Sequence, residues 1–289
     1  MRNIEIIEGP GGLPCVEIAN KSGRALISLY GAHVISYAPA GEKEVLMVSR
    51  ESHYTYGKAI RGGIPVCWPW FSAHPTDASM PAHGFARIHS WAISDVKYTT
   101  AGDGSEKTTA VFILPRQAYA NNFDLQAVNL KLTVSVGTEL EVTLETENIS
   151  EKDFTYSCAL HTYFSVGDIA DTTLTGLENE PFFNSLTGET GKGPVAIAFT
   201  EEYDRIYFSG ATCIINDNAN ARKIVVAKKN SGSTVVWNPW IAKSARMSDF
   251  GNEEYRKMLC VETACVKQDS RTVPPGGTSS HSVTISVTR

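Results

Sequence analysis

The sequence predicts an all-β protein arranged as one large β-sandwich spanning residues 1–289. Three observations predict it: apolar residues recur with period two, polar Gly- and Asn-containing turns separate the alternating runs, and strong helix signals are scarce. The clearest run is 127–147, AVNLKLTVSVGTELEVTLETE. Val128, Leu130, Leu132, Val134 and Val136 alternate with Asn129, Lys131, Thr133 and Ser135. Beyond the GTE turn, Leu140, Val142 and Leu144 alternate with Glu141, Thr143 and Glu145. This reads as an antiparallel hairpin with one dry face and one wet face.

The other elements follow the same logic. Residues 24–37, RALISLYGAHVISY, predict two short strands about Gly31. ISDVKYTT and TTAVFILP flank the turn AGDGSEK, and IYFSGATCIIND and ARKIVVAKK flank a turn near Asn218. The C-terminal SSHSVTISVTR alternates again, and Thr, Val and Ile fill these segments as sheet packing favours. One short helical turn is predicted in SDFGNEEYRKMLCVE, ahead of a strand that carries Glu262. No Gly-rich phosphate loop and no regular strand–helix alternation is present, which excludes a dinucleotide-binding α/β fold.

Bulk composition narrows the function classes. The chain has 289 residues, with 26 Lys and Arg against 31 Asp and Glu, a formal charge of −5. That balance gives no support to nucleic-acid binding by charge. No apolar run reaches the length of a membrane span. The N-terminus, MRNIEIIEGPGG, breaks on Glu and Gly-Pro and lacks the apolar stretch of a signal peptide. The six cysteines, Cys15, Cys67, Cys158, Cys213, Cys260 and Cys265, form no C-x-x-C pair. They read as buried free thiols in a reducing compartment, which points to the cytoplasm.

The most irregular stretch is 57–91, GKAIRGGIPVCWPWFSAHPTDASMPAHGFARIHSW. Connections of this kind on a sheet scaffold often line a site. Trp68, Trp70 and Phe71 offer flat faces for a sugar, or equally a cap on one end of the core. Arg61 and Arg87 offer forks for a phosphate, or equally ordinary ion pairs. His83, before Gly84, suits either a ligand contact or a tight turn. The spacing of His74, His83 and His89 carries no metal-ligand signature. His161 in CALHTYF and Glu262 in MLCVETACV stand out because each sits within an apolar, strand-like run. A core histidine must satisfy its ring nitrogens, and a core carboxylate is rarer still. Each reads either as a paired core residue or as a pocket group, and burial would make Glu262 a usable base. Asp204 is a further polar candidate. Trp237, Asn238 and Trp240 in VVWNPWIAK form a second candidate aromatic wall.

Six segments together resemble the aldose 1-epimerase (galactose mutarotase-like) superfamily, and within it the glucose-6-phosphate 1-epimerase branch. They are IRGGIPVCWPWF at 60–71, HGFAR at 83–87, LHTYF at 160–164, YDRIY at 203–207, VVWNPW at 235–240 and CVETA at 260–264. Their order spans nearly the whole chain. The resemblance implies a large twisted antiparallel β-sandwich with an open sugar cleft. It implies an acid at His161 and a base at Glu262, with sugar contacts from His83, Asp204 and Trp237 and a 6-phosphate held by Arg61 and Arg87. It implies a cofactor-free, metal-free isomerase acting on a hexose 6-phosphate; a monomer is expected because no assembly motif is evident, and charge and hydropathy give neither nucleic acid nor membrane as partner. A mutarotase for unphosphorylated hexoses fits the same acid and base, and a non-catalytic sugar-binding sandwich fits the same fold.

Overall fold

The computed structural model describes residues 4–118 and 127–289. The described secondary structure is almost entirely strand, in several antiparallel sheets. The largest sheet has nine strands in the order Ile197–Ala198, Thr172–Thr175, Cys213–Asp217, Arg222–Lys229, Thr278–Thr288, Leu140–Asn148, Val128–Val136, Glu106–Ile113 and Ala92–Thr100. A second sheet of eight strands runs Thr190–Lys192, Pro181–Asn184, Tyr203–Tyr207, Ser233–Asn238, Met258–Cys265, Cys158–Leu160 and Val66–Cys67, with Tyr163–Ser165 also paired to Met258–Cys265. Ile4–Glu8, Pro14–Asn20, Gly23–Ser28 and His33–Pro39 form a four-stranded sheet, and Phe154–Tyr156 pairs with Arg271–Val273.

The sequence pattern accounts for these elements. In the predicted hairpin Leu132 faces Leu144 and Val134 faces Val142, and every apolar position of the alternation is buried. The strands predicted about Gly31, about AGDGSEK and near Asn218 are present, and the helical turn forms at Glu254–Lys257. The short helix Trp240–Ser244 was not anticipated; too short for an apolar period, it follows Pro239 directly. All eight residues of Met258–Cys265 are buried, as are all six of Ser233–Asn238 beside it. These central strands are covered on both faces, so they read as continuous apolar runs rather than alternations. The six cysteines are buried free thiols. No helix among the described residues is long and apolar enough to cross a membrane.

Two buried histidines give this core a pH dependence. Burial pushes His33 and His281 down to about 4, against 6.5 for a free side chain. The unfolded chain therefore takes up protons between about pH 6.5 and 4 that the native protein does not. Stability is present above the ordinary histidine range and is lost as pH falls toward 4, on the order of 3 kcal/mol for each group. Denaturant midpoints measured from pH 7 to pH 4.5 are expected to fall steadily; a flat profile would contradict this account.

Candidate active site

The register of two strand pairs places the central residues. Leu160 faces Thr263, and Tyr163 faces Cys260. Two residues separate each pair on both strands, so His161 stands opposite Glu262. Its Nε2 lies 3.4 Å from Glu262 Oε1, with both side chains nearly excluded from solvent at 9% and 1% exposure. The backbone of His161 leaves the ladder here, its N–H donating to Pro65 O at 3.0 Å. The ring stacks on Tyr163, with centroids 4.8 Å apart and planes at 11°. His83 and Trp237 meet it edge-on at 5.6 Å and 6.1 Å.

These residues line one cavity of about 570 Å³, a size suited to a small ligand. Ile206, Val235 and Val266 contribute to its lining from a small apolar cluster that also holds Cys67, Ala159 and Ala264. Of the residues singled out in the sequence, Arg61, Phe71, His83, His161, Asp204, Trp237 and Glu262 line it. His83 is presented by a left-handed backbone, φ 65°, with its N–H on Ser72 O at 2.7 Å and Ser72 N–H on its Nδ1 at 3.2 Å. Gly84 behind it has φ 70°, and a Cβ there would lie 2.0 Å from Trp68 O, so only glycine fits. Asp204 faces Trp237 across neighbouring strands.

The other sequence candidates stand elsewhere, Asn238 with its amide on Tyr255 O and Met258 O and Trp240 packed on Tyr255. Trp68 is wholly buried and donates Nε1–H to Thr146 Oγ1 at 3.1 Å, which makes it a core residue. Trp70 donates to Pro81 O at 2.9 Å and packs edge-on against His74. Arg87 does not line the cavity; its Nη2 donates to Ala82 O at 2.9 Å, while its charge acts on His83, His161 and Glu262. Arg61 lines the cavity but its guanidinium is engaged. Nε and Nη2 donate to Asp249 Oδ2 at 3.1 Å and 3.0 Å, and Nη1 donates to Tyr163 Oη at 3.0 Å. Sequence reasoning passed over Tyr163, Phe183, Lys243 and Lys267, which also line the cavity. Tyr163 and Lys243 were inside quoted segments, where only their neighbours drew notice; Phe183, in the strand Pro181–Asn184, and Lys267, in the turn Lys267–Asp269, lie where the local pattern carries no functional signal.

The electrostatics follow from burial. Burial holds His161 well below the ordinary histidine range, assisted by His83, Arg87 and Arg61. Burial and then the Asp204 charge raise Glu262 well above the ordinary carboxylate range, against an opposing effect of Arg87. Burial pushes His83 down to about 3. Burial also raises Asp204, although Ser185 and Lys243 oppose it. The His161–Glu262 pair is therefore favoured in a form with one proton between the two groups. His161 Nδ1 and Glu262 Oε2 are buried and have no hydrogen-bond partner in the protein. Among the described residues, Cys158, Cys265 and His281 bring potential metal-ligand atoms within 4.8 Å of one another. None of the three lines this cavity, and Cys158 Sγ sits 3.7 Å and 3.8 Å from the two ring nitrogens of His281.

The sequence profile of the aldose 1-epimerase family matches residues 14–286. The chain belongs to the aldose 1-epimerase family. It is 35% identical over 262 residues to an Escherichia coli (strain K12) protein provisionally named glucose-6-phosphate 1-epimerase, covering 90% of this chain and 85% of that one. A Cenchrus ciliaris protein of the same provisional name is 33% identical over 281 residues, covering 94% and 84%. The crystal structure of a provisionally named mutarotase from Salmonella typhimurium superposes with a TM-score of 0.87 at 28% identity, over 99% of this chain and 97% of that one. The galactose mutarotase-like β-sandwich expected of the aldose 1-epimerase family is the fold observed.

Proposed function

We propose that this aldose 1-epimerase family member interconverts the α and β anomers of D-glucose 6-phosphate. The observation that carries the reading is the buried His161–Glu262 pair, 3.4 Å apart in one cavity and with a polar atom of each left unpartnered. Leaving such atoms unpaired costs desolvation energy that a bound sugar's hydroxyl and ring oxygens would offset. The names of the relatives from Escherichia coli and Cenchrus ciliaris point to the same substrate.

The chemistry needs one acid and one base on a single substrate. Glu262 takes the proton of the C1 hydroxyl while His161 gives a proton to the ring oxygen. The C1–O5 bond breaks and C1=O1 forms, giving the open aldehyde. Rotation about C1–C2 presents the other face, and closure runs both transfers backward. The reaction needs the pair's single proton on His161, and a hydrogen bond donated by the C1 hydroxyl to Glu262 favours the ionised carboxylate that leaves it there. His83 and Asp204 hold sugar hydroxyls, and Trp237 walls the ring. Arg61 orients Tyr163, on which the His161 ring stacks, and the Arg87 charge, which acts on His83, His161 and Glu262, favours an anionic ligand. No redox change and no water attack occur, so the reaction calls for no nicotinamide and no glycosidase-type carboxylate pair. We assign this activity to a single-domain, cytoplasmic, monomeric enzyme that needs neither cofactor nor metal.

The engagement of Arg61 with Asp249, and the position of Arg87 outside the cavity lining, favour a second reading. In it the protein is a mutarotase for unphosphorylated aldohexoses. Magnetisation-transfer NMR on glucose 6-phosphate and on free glucose or galactose, at matched concentrations, separates the two. Faster anomer exchange of the ester is expected. Acceleration of free sugars alone would select the second reading, and no acceleration of any hexose would leave a sugar-binding protein.

A further inference from the structure

The strands that carry His161 and Glu262 also carry a pair of thiols on their other face. Ser157 and Val266 line the cavity, while their chain neighbours Cys158 and Cys265 lie in the main core. Side chains alternate across a strand, so the cysteines turn toward the nine-stranded sheet, where His281 of Thr278–Thr288 meets them. Cys158 and Cys265 face each other directly across the antiparallel pair. Opposed residues in such a ladder have Cα atoms about 4.5 or 5.5 Å apart, and a disulfide spans about 4.4–6.8 Å. The register therefore allows a bond between the two sulfurs without a shift of the strands, yet both are free thiols.

The two thiols are not equivalent. A hydrogen bond from the Cys158 thiol, joined by the Arg271 guanidinium, holds Cys265 below the ordinary thiol value. Burial holds Cys158 well above it, and burial also raises Cys15, Cys67 and Cys260. The thiolate is the attacking form, so Cys265 is the nucleophile of the pair and Cys158 the thiol that resolves it. His281 is kept neutral by burial, which pushes it down to about 4. With its ring nitrogens 3.7 Å and 3.8 Å from Cys158 Sγ, it is placed to take the Cys158 proton.

The cover over Cys265 is thin. Its sulfur lies 3.8 Å from Asn230 O, which also accepts Arg271 Nη2–H at 2.9 Å. Asn230 is exposed and the Arg271 side chain is partly so, so one flexible arginine separates the sulfur from solvent. Two thiols and an imidazole would also suit a soft metal ion, but the Arg271 cation beside them favours a thiolate and repels a metal. We propose that Cys158 and Cys265 form a modification site at which a hydroperoxide closes a reversible cross-strand disulfide, with Cys265 as the attacking sulfur and Arg271 as its counter-charge.

The chemistry balances with hydrogen peroxide as oxidant. Cys265 sulfur attacks one peroxide oxygen, the O–O bond breaks, and the leaving hydroxide takes up the proton that Cys265 gave up, forming water. Cys158, its proton passed to His281, then attacks the sulfenic sulfur. The S–S bond forms, and the departing hydroxide recovers that proton as a second water. Two thiols lose two electrons and one peroxide gains them. Small cytoplasmic thiols would reverse the bond by exchange.

Reduced wild type treated with hydrogen peroxide, quenched, unfolded and titrated is expected to lose two of its six thiols. A non-reducing digest should hold one peptide pair joined through Cys158 and Cys265, and dithiothreitol should restore both thiols. Cys158→Ser should stop at a Cys265 sulfenic acid, which dimedone traps. Arg271→Gln, a change near the surface, should slow the oxidation about tenfold by lowering the thiolate fraction. All six thiols surviving in the wild type, or a cross-link through other cysteines, would overturn the site. So would a zinc or copper ion held one per chain by the reduced protein and shielding both sulfurs. An unchanged rate in Arg271→Gln would overturn the role of Arg271. The readout is thiol chemistry and does not depend on the sugar chemistry proposed above.

Discussion

Glu262→Gln is expected to slow catalysed anomer exchange by about a thousandfold, within the range that removal of a positioned general acid or base produces. Gln keeps the shape of the side chain and leaves no buried charge behind, so the melting midpoint is expected to hold or rise slightly. His161→Asn is expected to cost a similar factor. In the proposed mechanism the two groups, 3.4 Å apart, share one proton and act as a unit. The double variant should therefore be little worse than either single one. Multiplicative losses would show that the residues act independently. Either single variant retaining most of the rate, while still folded, would remove it from the chemistry.

The same pair sets the pH dependence. Burial and the neighbouring His83 and arginines keep His161 from taking a second proton until the solution is more acidic than the ordinary histidine range. Burial and Asp204 keep the remaining proton on the pair well above the ordinary carboxylate range. Exchange should be level through neutrality. It should fall in acid as the pair gains a proton, and in alkali as it loses its only one; both limbs belong to the pair rather than to one residue. A profile that turns at the ordinary histidine value would contradict this environment.

Sequence legibility differed between strands and site. The two-faced strands at 128–148 announced themselves because one face is wet, and their register follows from the turn between them. The strand around Glu262 was legible by the opposite sign, a carboxylate where covering on both faces leaves only apolar residues. That His161 would meet it depends on pairing between strands about a hundred residues apart, which alternation does not encode; the family resemblance supplied it. Arg61 and Arg87 looked equivalent in sequence, yet one lines the cavity and the other does not. Lys267 was invisible because the backbone angle that sets it at the cavity, φ 54°, is one that no local pattern predicts. Trp68 looked like a ligand wall because tryptophan suits both roles, and only burial against Thr146 decides.

The largest expected loss of stability lies at Asp217, outside the cavity. Asp217 and Arg222 pair at 3.0 Å with side-chain exposures of 0% and 3%. Asp217 also accepts Gly167 N–H and Asn220 Nδ2–H, each at 2.9 Å. Arg222 extends the network to Ser165 O at 2.6 Å, Glu44 O at 3.2 Å and Lys43 O at 3.4 Å. Ser165 closes the strand that begins two residues after His161, so this hub holds the far end of the segment carrying His161. Asp217→Ala would leave the guanidinium buried without its counter-charge, and is expected to cost about 3–5 kcal/mol. In a domain of this size that lowers the melting midpoint on the order of 10 °C. Arg222→Met added to Asp217→Leu should restore much of the loss, because two matched apolar groups leave no uncompensated charge, although the three carbonyls would still lose a donor. Chemical denaturation of the single and double variants decides the point. An Asp217→Ala protein as stable as the wild type would show that water reaches Arg222 and that the pair is effectively a surface one. If the single variant is destabilised but, while folded at low temperature, still exchanges anomers at the wild-type rate, the hub serves the fold alone. A lower rate in that folded protein would mean that the anchoring of Ser165 reaches His161.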